Sequence, residues 1–491
     1  MTHVDTARPD RTPGAEDRGF LGQPRSLANL FGVELWERFS FYGMQGILLI
    51  YLYYEATDGG LGLDQGTATG VVGAYGGSVY LSTILGAWLA DRVLGPERTL
   101  FWSAAVVMAG HLALALVPGF AGVGIGCVLI ALGSGGVKAT ATSLVGSLYA
   151  EGDERRDAGF SLFYMGINIG ALVGPLLTGL LQEEVGFHWG FGLAAVGMAA
   201  GLAQYAVGRR RLPPETAVVP NPLPRPKAVR YAAAAATVVL VVAVLAATGV
   251  VTVDNLDDWV AGVTLAAAVA YFAVILTSRQ VDATERSRVW SFVPLFVVNA
   301  VFWSLYQQQF TVVTIYSDER LDRDLLGWEM PVSWVQSINP VFIIALAGAF
   351  AALWTRLGPR QPSTPVKFGL GTITMGAAFL LFLLAPEGAG SVPVLALAAI
   401  LLVFTIAELL ISPVGLSLST KLAPRQFRTQ MVALYFLSVS LGTTMAGRLG
   451  EYYDPEDEGG YFLVIGLVAI VVGALLLLAT RPVRRLMAGV H

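Results

Sequence analysis

Phe31-Gly-Val-Glu34-Leu-Trp-Glu37-Arg38-Phe-Ser-Phe41-Tyr42-Gly-Met-Gln45-Gly-Ile-Leu-Leu-Ile50 puts two acids and a base at the head of an apolar run. Everything after Arg38 reads as a membrane helix. A charge at a bilayer centre costs about 2.5–3.5 kcal/mol on insertion scales, so its presence asks for a reason. A helix turns about 100° per residue, so spacings of three and four share a face. With Glu34 at zero, Arg38 falls near about +40° and Glu37 near about −60°. Phe41, Tyr42 and Gln45 fall near about −20°, +80° and +20°. The result is one polar stripe on a greasy helix, suited to a pathway rather than to lipid.

The composition carries the same message outward. Of 491 residues, 55% are hydrophobic and only 13% charged, where about 25% is usual for soluble domains. Apolar stretches of spanning length recur near 28–54, 66–91, 98–117, 121–149, 158–182 and 188–208. They continue near 230–252, 258–278, 289–316, 331–355, 366–385, 391–420, 427–453 and 460–480. Calling the N-terminal side "in", 26 of the 31 basic residues fall on that side and only Arg320 and Arg323 fall in outside loops. This positive-inside bias places both termini in the cytoplasm. The sparse lysines (Lys138, Lys227, Lys367 and Lys421) suggest a GC-rich bacterial genome, hence the bacterial inner (plasma) membrane.

The expected fold is an all-α polytopic membrane protein of the major facilitator type, with two six-helix bundles plus a two-helix insert, fourteen transmembrane helices in all. Residues 1–27 read as a disordered cytoplasmic tail without a signal peptide. The first bundle takes 28–208, a basic, proline-rich cytoplasmic linker 209–229, the inserted hairpin 230–278 and the second bundle 289–482. The linker reads as an extended strap. The hairpin reads as peripheral, with no direct role in transport. The chain is expected to work as a monomer in a lipid bilayer. The sequence pI of about 5.7 is no evidence for a basic partner, and no nucleic-acid partner is expected. Cys127 is the single cysteine. His3, His111, His188 and His491 are scattered, so neither a metal site nor a nucleophile–base set is indicated, and the chain is expected to be no enzyme and to use no cofactor.

Six charges fall inside predicted spans: Glu34, Glu37, Arg38, Lys138, Glu408 and Arg448. Unpaired, they would cost on the order of 15–20 kcal/mol, more than a typical protein's stability. They must pair, protonate or face water. Lys138 sits in Gly133-Ser-Gly-Gly-Val-Lys138, which lacks the spacing of a phosphate loop; its glycines suit close helix approach. Glu408 precedes Ser412-Pro413, a site for a bend. Arg448 has Glu451 one turn away as a partner. Bases on one half and an acid on the other suit a zwitterion: Arg38 and Lys138 for a carboxylate, Glu408 for an ammonium. A buried carboxylate can also load a proton, so a proton gradient is the expected drive. Asn168, Asn339, Tyr80, Trp303, Tyr306 and Tyr435 add amides and aromatic walls.

Together these stretches resemble the proton-dependent oligopeptide transporters. Glu34-Leu-Trp-Glu37-Arg38 is similar to that family's first-helix motif. Gly86-Ala-Trp-Leu-Ala-Asp91-Arg92-Val-Leu-Gly95, Phe160–Ala171, Gln336-Ser-Ile-Asn339-Pro340 and Glu408-Leu-Leu-Ile-Ser-Pro-Val-Gly415 match its other signatures. The resemblance implies uptake of di- and tripeptides by proton symport. It implies that Arg38, Tyr42 and Lys138 hold the peptide carboxylate, and that Asn168, Asn339 and Glu408 hold its amine. Glu34 and Glu37 with Arg38 would couple protons. Phe41, Tyr80, Trp303, Tyr306 and Tyr435 would line the pocket. Lys138, Glu408 and Asp91 would form the inside gate.

Four positions depart from the family pattern. Phe41 replaces a usual Tyr and Tyr435 a usual Trp. Gln45 replaces a common arginine and Gln307 a usual glutamate. The last two belong together, because losing one charge alone would strand the other. The expectation is a neutral outside gate in which Gln45 and Gln307 share an amide hydrogen bond. Rival readings keep the fold and change the cargo to nitrate, another organic anion or a peptide-like drug, or make the chain a membrane receptor.

Overall fold

The computed structural model describes residues 19–150, 153–325, 327–386 and 388–490. Most of the expected N-terminal tail lies outside the described residues. The chain is helical almost throughout. The first six helices are α1 (Arg25–Tyr53), α2 (Gln65–Leu89), α3 (Pro96–Leu116), α4 (Gly119–Gly146), α5 (Arg156–Glu184) and α6 (Phe187–Gly208). They pack together as one half, with α1 against α5 and α6, and α4 against α2 and α3. An inserted hairpin follows, α7 (Arg225–Ala247) and α8 (Leu256–Thr277). The second half comprises α9 (Ala283–Tyr306), short α10 (Val312–Arg320), α11 (Ile338–Leu357), α12 (Thr364–Leu381), α13 (Val394–Leu422), α14 (Arg428–Gly450) and α15 (Glu458–Leu478), before a terminal turn of helix, α16 (Thr480–Leu486). Twelve of the described helices are long and apolar enough to cross a membrane; α1 and α2 are equally long but more polar.

Local signals set several helix ends. Asp64 caps α2 by accepting from Thr67 N at 2.8 Å, and that bond holds its carboxyl below the usual range. Asp282 and Glu285 form a reciprocal cap on α9. The apolar run read as one helix over 289–316 is broken. A 3-10 turn, Gln307–Phe310, separates α9 from α10. Residues 332–337 are likewise a 3-10 turn before α11. Broken helices at membrane depth are tolerated where they line a cavity, and both breaks do so.

The termini of the described chain share one end of the molecule, called proximal here; the opposite end is distal. At the distal end the two halves meet closely. A Cβ on Gly73 of α2 would lie 2.6 Å from the Gly447 Cα of α14, so both positions need glycine for the backbones to touch. Ser440 Oγ donates to Gly77 O at 2.7 Å. Ser333, Trp334 and Ser337 donate to the α5 carbonyls of Pro175, Leu176 and Leu172 at 3.1, 2.9 and 2.8 Å. These contacts hold the two halves shut at the distal end.

Two expectations about connections change. The linker is no free strap: it forms two 3-10 turns, Arg209–Arg211 and Pro214–Ala217. It then docks on the turn after α2, where Asn221 N and Leu223 N donate to Asp91 O and Arg92 O. The hairpin is not wholly peripheral. Helix α7 is exposed along its length, as an apolar helix facing lipid would be, but α8 buries one stripe against α2, α9 and α14. Gly136 does allow close approach, its backbone lying against Gly86 of α2.

Candidate functional site

Between the halves lies a cavity of about 320 Å³. Small-molecule pockets run from about 300 to 1,000 Å³. Helices α1, α2, α4 and α5 supply one wall; α9, α11, α13, α14 and the Gln307–Phe310 turn supply the other. Glu34, Arg38, Phe41, Tyr42, Gln45, Tyr80, Lys138, Asn168, Trp303, Tyr306, Gln307, Asn339, Glu408 and Tyr435 all line it. Glu37 and Asp91 do not.

The first-helix stripe folds as a single charge cluster. Arg38 Nη2 lies 2.7 Å from Glu34 Oε1, and Arg38 Nε donates to the same oxygen at 2.8 Å. Glu37 Oε2 stands 3.4 Å from Arg38 Nε. Glu37 points away from the cavity and is fully buried, its other oxygen accepting from Ser134 Oγ of α4 at 2.9 Å. Two carboxylates thus share one guanidinium, and only one of them faces the cavity. Lys138 sits over the rings of Phe41 and Tyr80, 5.0 and 5.4 Å from their centroids. Its cation is held by aromatic faces on the wall that also carries Arg38.

The opposite wall is built differently. Asn339 Nδ2 lies 3.1 Å from Thr405 Oγ1 and 3.5 Å from Glu408 Oε2, while its Oδ1 accepts from Tyr306 at 3.4 Å. Glu408 is buried and, among the described residues, has no cation within ion-pair distance. Lys138 and Glu408 face one cavity from opposite halves without meeting. Asn168 is on the first wall but donates to Tyr164 O of its own helix at 2.9 Å rather than to Glu408. Asp91 is exposed, at the proximal turn after α2, remote from this cluster.

The distal lid of the cavity departs from expectation. Gln45 and Gln307 both line it, but no hydrogen bond joins them, and each leaves its Oε1 without a partner. Tyr42 stacks on Phe310 across the halves, 6.0 Å between ring centres. The polar seal is further out. Asp318 of α10 accepts from Tyr53 Oη at 2.6 Å and from Tyr54 Oη at 2.9 Å, both at the end of α1. Gln65 adds a bond to Glu319 at 2.7 Å. Asp318 lies just beyond the apolar run over 289–316, where hydropathy assigns no role to an acid. The paired tyrosines ending α1 are the signal that was present. Ser134, Thr405, Gln309 and Gln336 were given no site role, as polar side chains that bear no charge.

With that geometry in place, known proteins supply a frame. The POT family model matches residues 97–457. An uncharacterized transporter of Bacillus subtilis (strain 168) is 43% identical over 96% of this chain and 97% of its own length. A di-/tripeptide transporter of Lactococcus lactis subsp. cremoris is 38% identical over 97% of this chain and 99% of its own. A crystal structure of a peptide transporter POT in complex with sulfate superposes with a TM-score of 0.92, at 42% identity, covering 96% of this chain and 98% of that one.

Proposed function

The chain belongs to the POT family, and on that premise we propose that it takes up di- and tripeptides by alternating access, driven by protons moving with the peptide. It is a transporter, not an enzyme. The observation that carries the peptide reading is the division of charge across the cavity. Arg38 and Lys138 stand on one wall; Glu408, without a cation of its own, stands on the other. A buried carboxylate needs a cation or a proton. A zwitterion spanning the cavity supplies an ammonium to Glu408 and a carboxylate to Arg38, Tyr42 and Lys138. A simple anion such as nitrate would leave Glu408 uncompensated. Asn339 extends the amine site, and Phe41, Tyr80, Trp303, Tyr306 and Tyr435 tolerate varied side chains. Asn168 joins the amine site once it gives up its bond to Tyr164.

The charge bias of the loops supports a plasma-membrane protein with both termini cytoplasmic, so the distal end faces outside. The structure then represents an outside-closed state. In the opposite state, Lys138 and Glu408 approach each other, and Asp91 helps to close the inside. Arg38 connects protons to cargo. While Glu34 and Glu37 are both ionised they hold it; a proton on either frees it for the peptide carboxylate. The chain is expected to act as a monomer. The decisive experiment uses purified protein in liposomes with labelled dialanine and an acid-outside gradient. Accumulation that follows the gradient supports the proposal. Uptake indifferent to the gradient would defeat proton symport, and uptake of nitrate without dialanine would defeat the peptide reading.

A further inference from the structure

Helix α8 packs against α14 and α9 of the second half and against α2 of the first. Phe272 packs on Phe292 and Phe296 of α9, with ring centres 6.4 and 5.7 Å apart. Asp257 and Asp258 lie 4.0 and 3.6 Å from Arg448 of α14. Thr264 Oγ1 meets Ser440 Oγ at 3.2 Å, and that same Ser440 makes the 2.7 Å bond to Gly77 across the halves. Among the described residues, two ties of α8 to the first half lie at its distal end, and at the other end of α2 Trp88 packs on Tyr231 of α7, 5.4 Å between ring centres. Thr67 of α2 bonds Asp254, in the turn before α8, at 3.2 Å. The Gly70 face of α2 also lies against the carboxyls of Asp257 and Glu451. A Cβ there would stand 3.1 Å from Glu451 Oε1, close enough to ask a small shift of that side chain, and at ordinary contact distance, 3.7 Å, from Asp257 Cγ.

We infer that the inserted hairpin is a clasp on the outer gate. Carried by the second half, α8 reaches over the seam and grips α2, so that the first half cannot part from α14 at the distal end without releasing it. A passenger hairpin would be anchored to one half alone. This one adds contacts to the closed state that opening must break, and it does so beside the Gly73–Gly447 approach where the halves touch. One hydrogen bond of this kind is worth roughly a three- to tenfold shift in the closed-to-open ratio. The inference rests on alternating access but not on the identity of the cargo.

The test replaces Thr67 and Asp254 with cysteines in a Cys127→Ser background. Oxidation ties the clasp to the first half. Uptake by the oxidised protein should be lost and should return on reduction. Full cross-linking with uptake at the level of the reduced protein would overturn the inference, because it would mean that α8 travels with α2. A measurement independent of transport runs beside it. Spin labels at exposed Asp58 and Glu456 report the distal separation of the halves. Thr67→Val should lower the closed-to-open ratio roughly three- to tenfold, while Val269→Ala, on the exposed face of α8, should leave it unchanged. Equal distance distributions in Thr67→Val and the parent would also overturn it. If peptide transport itself proves absent, the label distances still decide for or against the clasp.

Discussion

The bonds from Tyr53 and Tyr54 to Asp318 should hold the outer gate shut, and removing both hydroxyls should open it measurably. The double variant Tyr53→Phe/Tyr54→Phe is a mild perturbation. It deletes two donors without burying a new polar atom, and Asp318 keeps Arg323 at 3.3 Å, so no charge is stranded. A hydrogen bond to a charged group contributes about 1.5–3 kcal/mol. Asp318 is partly exposed, with 14% of its side-chain surface accessible, so the lower end applies and about 1–1.5 kcal/mol per bond is reasonable. Two such bonds sum to about 2–3 kcal/mol, a factor of roughly 30–150 in the closed-to-open ratio.

The readout is access from outside to a cysteine inside the cavity. Thr443 lines the cavity and is 3% exposed; Thr443→Cys in a Cys127→Ser background gives a single reporter of similar size. In intact cells, a membrane-impermeant maleimide reaches it only through the distal opening. While the open state is the minority, the labelling rate is proportional to its population. The rate should therefore rise roughly 30–150-fold in the double variant. Tyr452→Phe, which removes an exposed tyrosine hydroxyl nearby, should leave it unchanged. A rise of less than about threefold would refute the reasoning, since that corresponds to under about 0.7 kcal/mol for both bonds together.

Other outcomes follow from the charged walls. Glu37→Gln should abolish gradient-driven accumulation of dialanine while exchange across the membrane persists; normal accumulation would remove Glu37 from coupling. Ser134→Ala frees an oxygen of the same carboxylate, so it should shift the pH midpoint of accumulation with little change in peptide affinity, measured by competition. Glu408→Gln should weaken dialanine binding roughly 10–150-fold, the value of about 1.5–3 kcal/mol for a charge-assisted bond, and should barely affect an analogue lacking the amine.

Much of this architecture was legible in the chain because membranes enforce simple rules. Hydropathy placed the helices, and the rarity of buried charge singled out Glu34, Arg38, Lys138 and Glu408, which the fold brings to one cavity. Placement in a span could not say which way a side chain turns. Glu37 shares the stripe but faces α4, because the about 60° between it and Glu34 is enough to put it behind the wall. The break at Gln307–Phe310 was also hidden, since glutamine has ordinary helix propensity and no proline marks the site. The distal seal and the docking of α8 were invisible for a different reason. They depend on contacts between segments more than 150 residues apart, Tyr53 with Asp318 and Thr264 with Ser440, for which hydropathy has no term.

The neutral pair at the lid bears on stoichiometry. With Gln45 and Gln307 uncharged, the cluster around the cavity holds three acids, Glu34, Glu37 and Glu408, against two bases, Arg38 and Lys138. A zwitterionic peptide adds no net charge, so the loaded site keeps one net negative charge and is one positive charge short of neutrality. Occlusion in a low dielectric disfavours that imbalance, and one proton removes it. The expected coupling is therefore at least one proton per dialanine, read from the peptide gradient that balances a set proton gradient in liposomes. Gln45→Arg would supply the missing positive charge permanently. It should leave peptide exchange intact but flatten the dependence of accumulation on the proton gradient, because the occluded site would already be neutral. Gln45→Arg with Gln307→Glu restores the original net charge and should restore coupling. Equal accumulation by the single and double variants would show that net charge at the lid does not set the proton requirement.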